Sequence, residues 1–127
     1  MRVEITDVLD RDRRLVRFQS ACGAALARLG GGLPAAPGVF DVELDIPDVA
    51  VEWVVANEGE SAVIGEPDGR IRLVGRVVGV EPGDKVITLR VADSVVLVEL
   101  EDVLPTEASD KWLSVLVREV QLFDMNL

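Results

Sequence analysis

The sequence predicts an all-β chain, a single small barrel or sandwich of about eight strands with at most one short helix. Three observations carry this. Apolar and polar residues alternate at period two in several segments, the spacing of a strand with one buried and one wet face. Turn-forming clusters recur between those segments: Asn57-Glu58-Gly59-Glu60, Glu66-Pro67-Asp68-Gly69 and Glu81-Pro82-Gly83-Asp84. A chain of 127 residues with 49% hydrophobic content is also long enough for one domain with a real core.

Val3 and Ile5 alternate with Arg2, Glu4 and Thr6. The polar run Asp10 to Arg14 breaks the pattern, and Val16 and Phe18 resume it, which predicts a hairpin over residues 1–20. Arg11, Arg13, Arg14 and Arg17 cluster at its turn. Asp10 and Asp12 neutralise half of that cluster, so a solvated turn is expected and not an anion site. Residues 20–29 are open between two states. Ser20 can cap a helix that Gly30 ends, but Gly23 falls early inside it, and the same small residues can pair as a strand. Residues 30–38 are a loop; their three successive glycines lack the Lys-Ser/Thr that a phosphate loop needs.

Phe40, Val42, Leu44 and Ile46 face one way, with Asp41, Glu43 and Asp45 opposite. Val49, Val51, Trp53 and Val55 continue the inward series, with Ala50, Glu52 and Val54 outward. A short strand over 61–65 follows. Residues 70–80 form a long strand with Ile71, Leu73, Gly75, Val77 and Gly79 on one face; its glycines mark a bend or a close backbone approach. Strands over 86–92 and 95–101, a loop over 102–110 and one last strand over 111–123 complete the chain. The predicted core contains Phe18, Phe40, Val42, Leu44, Val51, Trp53, Leu73, Val77, Leu89, Val91, Leu97 and Val115. In this reading the hairpin 1–20 and the loop 30–38 pack on a barrel of residues 38–127.

Within that barrel, residues 70–124 resemble the strand plan of an OB-fold. Ile71-Arg72-Leu73-Val74-Gly75-Arg76-Val77 looks like its coiled first strand with the central glycine. Val86–Val91 and Val95–Glu99 look like the next hairpin, and Trp112–Val117 like a closing strand. The helix that such a fold carries between its third and fourth strands has no counterpart in 102–110, which is short and holds Pro105. Phe40–Ile46 is similar to segments of small acidic bacterial β-proteins, a resemblance that carries no activity. An OB-like barrel is therefore the first fold expectation.

Composition narrows the function. The net charge of −10 repels nucleic acid and anionic membranes at long range and favours basic partners. One Cys excludes a disulfide within the chain, and the absence of His removes the commonest general base and metal ligand. No Ser lies in a Gly-x-Ser-x-Gly elbow. No catalytic, cofactor-binding or metal-binding residue is assigned, and no enzyme activity is expected. Cys22, flanked by small residues, reads as a half-buried hydrophobe. The charged first residues do not form a signal peptide and no apolar run is long enough to span a bilayer, so a cytoplasmic protein is expected.

Two candidate surfaces remain. Arg70, Arg72 and Arg76 share a strand face, with Arg90 across the hairpin, as a stripe for single-stranded nucleic acid would require. Such a platform also needs exposed aromatics. Phe18, Phe40 and Trp53 follow buried parity, which leaves Trp112 and Phe123, so ion pairing of the arginines with Glu52, Glu99 or Glu101 is expected instead. Asp41, Glu43 and Asp45 form an acidic face, better suited to solubility or a basic partner than to calcium, whose sites draw on a turning loop. The leading expectation is a non-enzymatic acidic protein that binds a protein partner, in the manner of an immunity-type inhibitor. The alternative is an OB-like module that binds single-stranded nucleic acid. The last strand is apolar on both faces, with Leu116, Val120 and Leu122 on one parity and Val115 and Val117 on the other. Burial in a homodimer or beneath the N-terminal hairpin is expected for it.

Overall fold

The computed structural model describes residues 1–56, 59–81 and 83–125; the expected turn positions Asn57, Glu58 and Pro82 lie outside them. The described residues form eleven strands, and their only helical segment is a 3-10 turn over Thr106–Ala108. The chain is all-β, as its periodicity predicts.

The strands divide between a closed barrel and an open sheet. The barrel takes β1 (Arg2–Asp10), β2 (Leu15–Ser20), β3 (Gly23–Leu29) and β4 (Gly38–Asp45), and closes with β11 (Gln121–Asp124) in the order β1-β2-β3-β11-β4. β4 returns to β1, pairing Val3 with Phe40. β11 runs antiparallel to β4 and parallel to β3, pairing Leu122 with Leu29. The second sheet holds β5 (Glu52–Val55), β6 (Ala62–Gly65), β7 (Ile71–Val80), β8 (Val86–Val91), β9 (Ser94–Glu99) and β10 (Trp112–Val117). Its order is β5-β10-β7-β8-β9, and β6 pairs with the first half of β7. One cluster of buried apolar side chains, from Val3 and Phe18 to Leu89 and Val115, runs through both parts.

The hairpin β1–β2 forms where alternation predicts it. Arg14 takes a left-handed backbone at its turn (φ 56°), and the Arg13 N–H donates to the Asp10 carboxylate at 3.1 Å. The turn is more than a solvated loop. The Arg14 guanidinium donates to the carbonyls of Leu29, Gly30 and Leu33, and so ties the loop after β3 to the hairpin. The ambiguous residues 20–29 are a strand, because β2 and β11 offer partners along both edges of β3. Their small side chains also let the barrel meet the second sheet. The Val63 N–H donates to the Cys22 carbonyl at 3.1 Å. A Cβ on Gly23 would strike the Val63 carbonyl, and one on Gly65 would lie 3.3 Å from the Ala25 Cα.

Four expectations are corrected. The hairpin 1–20 does not pack on a barrel of residues 38–127; it supplies two of the barrel's own strands. Residues 70–124 do not close an OB-like barrel, since β7, β8, β9 and β10 lie in the open sheet and only β11 belongs to the barrel. Residues 111–123 are two strands, because the chain leaves one sheet through Arg118–Val120 and enters the other. Their apolar side chains are covered within the chain: Val115, Leu116, Val117, Val120 and Leu122 are all buried, while β5 and β7 pair along the edges of β10 and β3 and β4 along those of β11. The burial of these side chains therefore needs no second copy of the chain.

The fourth correction concerns parity. Leu97, expected in the core, is 62% exposed, while Val96 and Val98 are fully buried. β9 reads Val-Val-Leu-Val through its centre, so apolar residues fall on both faces and alternation gives no direction. A smaller slip occurs over 49–55, where the regular strand starts only at Glu52. Ala50 is buried, its N–H donating to the Glu99 carbonyl at 2.8 Å, whereas Val51 is half-buried and Val55 exposed. Phe40 and Trp53 are half-buried against the core, and the rest of the predicted core is buried.

Candidate interaction surface

β7 is the spine of the second sheet. β10 pairs along one of its edges; β6 and then β8 pair along the other. Ile71, Leu73, Gly75 and Val77 face the core, which sends Arg72, Val74, Arg76 and Val78 outward. Gly75 permits the β7–β8 contact, since a Cβ there would strike the Arg90 carbonyl.

Register assembles the outer face. Val95 stands opposite Arg90, Arg90 opposite Arg76, and Arg76 opposite Trp112, a row across β9, β8, β7 and β10. On one side of it lie Leu97 and Thr88; on the other, Ala62, Val74, Ser114 and Val54 form the parallel row. Val54, Ile64, Val78, Val95 and Leu97 are exposed by 44–62% on this one face. Sequence reasoning placed Val54 and Val78 outward but put Leu97 in the core, and so did not see these residues as one set. The available signal was β9 itself, whose four successive apolar residues exceed what one buried face can absorb.

The expected arginine stripe is only partly brought together. Arg72, Arg76 and Arg90 share the outer face. Arg70 lies before β7, held to Asp68 at 2.7 Å, and lines a cleft of about 270 Å³ with Arg28 and Arg118 at the barrel edge. Arg72 is paired as expected, with Glu52 at 3.5 Å and also with Glu66 at 3.1 Å, and it donates to the Ser114 hydroxyl at 2.9 Å. Arg76 and Arg90 are not paired as expected. Among the described residues neither holds an ion pair or a side-chain hydrogen bond, to Glu99, Glu101 or any other acid, although both are exposed.

The aromatic side chains are covered. A Cβ on Gly59 would lie 2.5 Å from the Trp112 ring, so this glycine's backbone packs on the indole face. Gly30 packs on Phe123 in the same way. Both rings are half-buried. The acidic row is where periodicity placed it: Asp41, Glu43 and Asp45 point outward from β4. Asp41 is held by Arg2 at 3.4 Å. Asp41 and Glu43 also line a groove of about 470 Å³ with Asp93 and Val95, where the barrel meets β9.

Cys22 is half-buried, and burial first, then the Asp93 charge, push its thiol pKa above the ordinary value. Among the described residues no group of three His, Cys, Asp or Glu side chains is placed to hold a metal ion, and no helix is long and apolar enough to cross a membrane. No family model, curated protein or solved structure matches the chain.

Proposed function

We propose that this chain is a non-enzymatic interaction protein that takes a protein partner on the outer face of its second sheet. The observation that carries the reading is the coincidence on one face of Val54, Ile64, Val78, Val95 and Leu97 with Arg76 and Arg90, which hold no ion pair among the described residues. Exposed apolar side chains gathered on one sheet face are a feature of interaction sites, and protein interfaces are enriched in arginine within an apolar setting. This moves the proposed surface from the acidic row to the sheet, because Asp41 already has Arg2 as its partner. The barrel keeps an OB-like character in this reading: five strands in a closed Greek-key path, with the second sheet inserted before its last strand.

Nucleic acid is the less favoured occupant. Stacking contributes about 1–3 kcal/mol per base, and the aromatic rings that would supply it here lie against Gly59 and Gly30. Site-specific photo-crosslinking tests the reading. A photoreactive residue at position 97 is expected to trap a discrete protein from the native lysate, and the same residue at position 43 is not. Crosslinks from position 43 alone, from neither position, or to nucleic acid would overturn it.

A further inference from the structure

We propose that Arg76 and Arg90 form a two-guanidinium clamp for a carboxylate side chain carried on an apolar segment of the partner protein. The proposal rests on the reading of the outer face as a protein-binding surface and names what that surface recognises.

The argument begins with a contrast among the eleven arginines. Arg2, Arg13, Arg17, Arg28, Arg70 and Arg72 each pair with a carboxylate. Arg11 and Arg14 bond to backbone carbonyls. Arg76, Arg90 and Arg118 have neither among the described residues, and only Arg76 and Arg90 are neighbours, directly opposite across β7 and β8. Opposed residues of an antiparallel pair have Cβ atoms about 4.5–5.5 Å apart, and like charges there are destabilising. Among the described residues, neither of these two opposed cations has an acid paired with it. A carboxylate from outside would remove the repulsion, and its two oxygens have the acceptor sites to take N–H bonds from both guanidiniums.

The surroundings specify the rest of the ligand. Val95 beside Arg90, with Leu97 and Val78 adjoining, supplies apolar surface around the cations. Apolar partner side chains packed there would exclude water and strengthen the charge pairing, whereas a bare anion would leave that surface wet. A polyphosphate chain meets the whole −10 charge of the protein and finds no open ring to stack on, while one carboxylate on a protein segment meets the local field.

Selection from a displayed random-peptide library tests the proposal, with wild type, the double variant R76Q/R90Q and L97D as separate immobilised targets. Wild type is expected to enrich peptides in which Asp or Glu is flanked by Leu, Ile, Val or Phe. Synthetic copies of these should bind R76Q/R90Q at least about tenfold more weakly. Their binding to L97D should weaken as well. Both arginines are exposed and hold no partner among the described residues, so the double variant is expected to fold, which circular dichroism checks. Enriched peptides that lack acids and bind R76Q/R90Q as well as wild type would overturn the clamp and leave the protein-binding reading standing. No enrichment on wild type would overturn both.

Discussion

Arg72 and Arg76 stand on the same strand face and differ in what they hold. Arg72 joins Glu52, Glu66 and Ser114 and is largely covered. Removing it strands two acids and a buried hydroxyl, so Arg72→Gln is expected to cost about 1–2 kcal/mol of stability, between the values for charged hydrogen bonds and for exposed ion pairs. Arg76→Gln and Arg90→Gln lose no partner among the described residues and should each stay within about 0.5 kcal/mol of wild type. Urea unfolding separates these outcomes. Sequence reading placed these arginines on one face but gave all of them acidic partners, because which cross-strand acid lies within reach depends on register, and register is not encoded in any single strand. Asp68 gives a second residue-scale test. The Arg70 backbone N–H holds its carboxyl below the ordinary carboxylate range; desolvation opposes this, and the hydrogen bond and charge of the Arg70 side chain add to the lowering. A carboxyl whose folded value is depressed contributes stability above its unfolded value and loses it as pH falls through the folded one. In a carbon-detected NMR titration, Asp68 is therefore expected to protonate at lower pH than an unperturbed Asp. In Arg70→Ala it should remain depressed in part, since the backbone donor persists.

At the scale of elements, strands with clean alternation were legible and strands apolar on both faces were not. β4 alternates charge with core residues, and its inward and outward positions fall as predicted. Leu44→Ala is expected to cost about 2–5 kcal/mol, as a buried large-to-small change, and Glu43→Ala less than about 0.5 kcal/mol. β7 was readable through Val77, including the close approach at Gly75, but a bulge after Val77 pairs Gly79 with Thr88 and turns Val80, expected outward, onto the core opposite Ile87. β9 was not, because Val95 to Val98 offers no polar residue to mark the wet side. The structure makes the paired test there sharp. Leu89→Ala, on β8 and fully buried, should cost about 2–5 kcal/mol. Leu97→Ala, on the neighbouring strand and mostly exposed, should cost less than about 0.5 kcal/mol. Equal losses in denaturant melts would mean that Leu97 is packed. The junction at Arg118–Val120 was missed for a related reason. Strong apolar character continues on both sides of it, and only a change of pairing partner separates β10 from β11.

For the whole molecule, strand content and turns were legible, while assembly was not. The barrel joins residues 2–45 to 121–124, and a parallel pairing between β3 and β11 is a contact that no local pattern announces. Local rules therefore put the barrel in the wrong part of the chain while predicting the fold class correctly. The candidate surface shows the same division. Its arginines could be found from sequence, whereas its apolar half became visible only when β9 took its place at the sheet edge with Val95 and Leu97 outward. Net charge belongs to this scale too. A mixed single-stranded oligonucleotide is expected to give no saturable quenching of Trp53 and Trp112 at low salt, because a −10 protein repels a polyanion and Trp112 lies against Gly59. The central claim, an open apolar and cationic face on the second sheet, is tested most directly by thiol accessibility along β9 with Cys22 replaced by Ala. Single cysteines at 95 and 97 are expected to react with a maleimide at the rate of a free thiol, and those at 96 and 98 far more slowly. The reverse pattern, fast labelling at 96 and 98 with protection at 95 and 97, would turn the strand over, bury Leu97 and contradict the proposed surface.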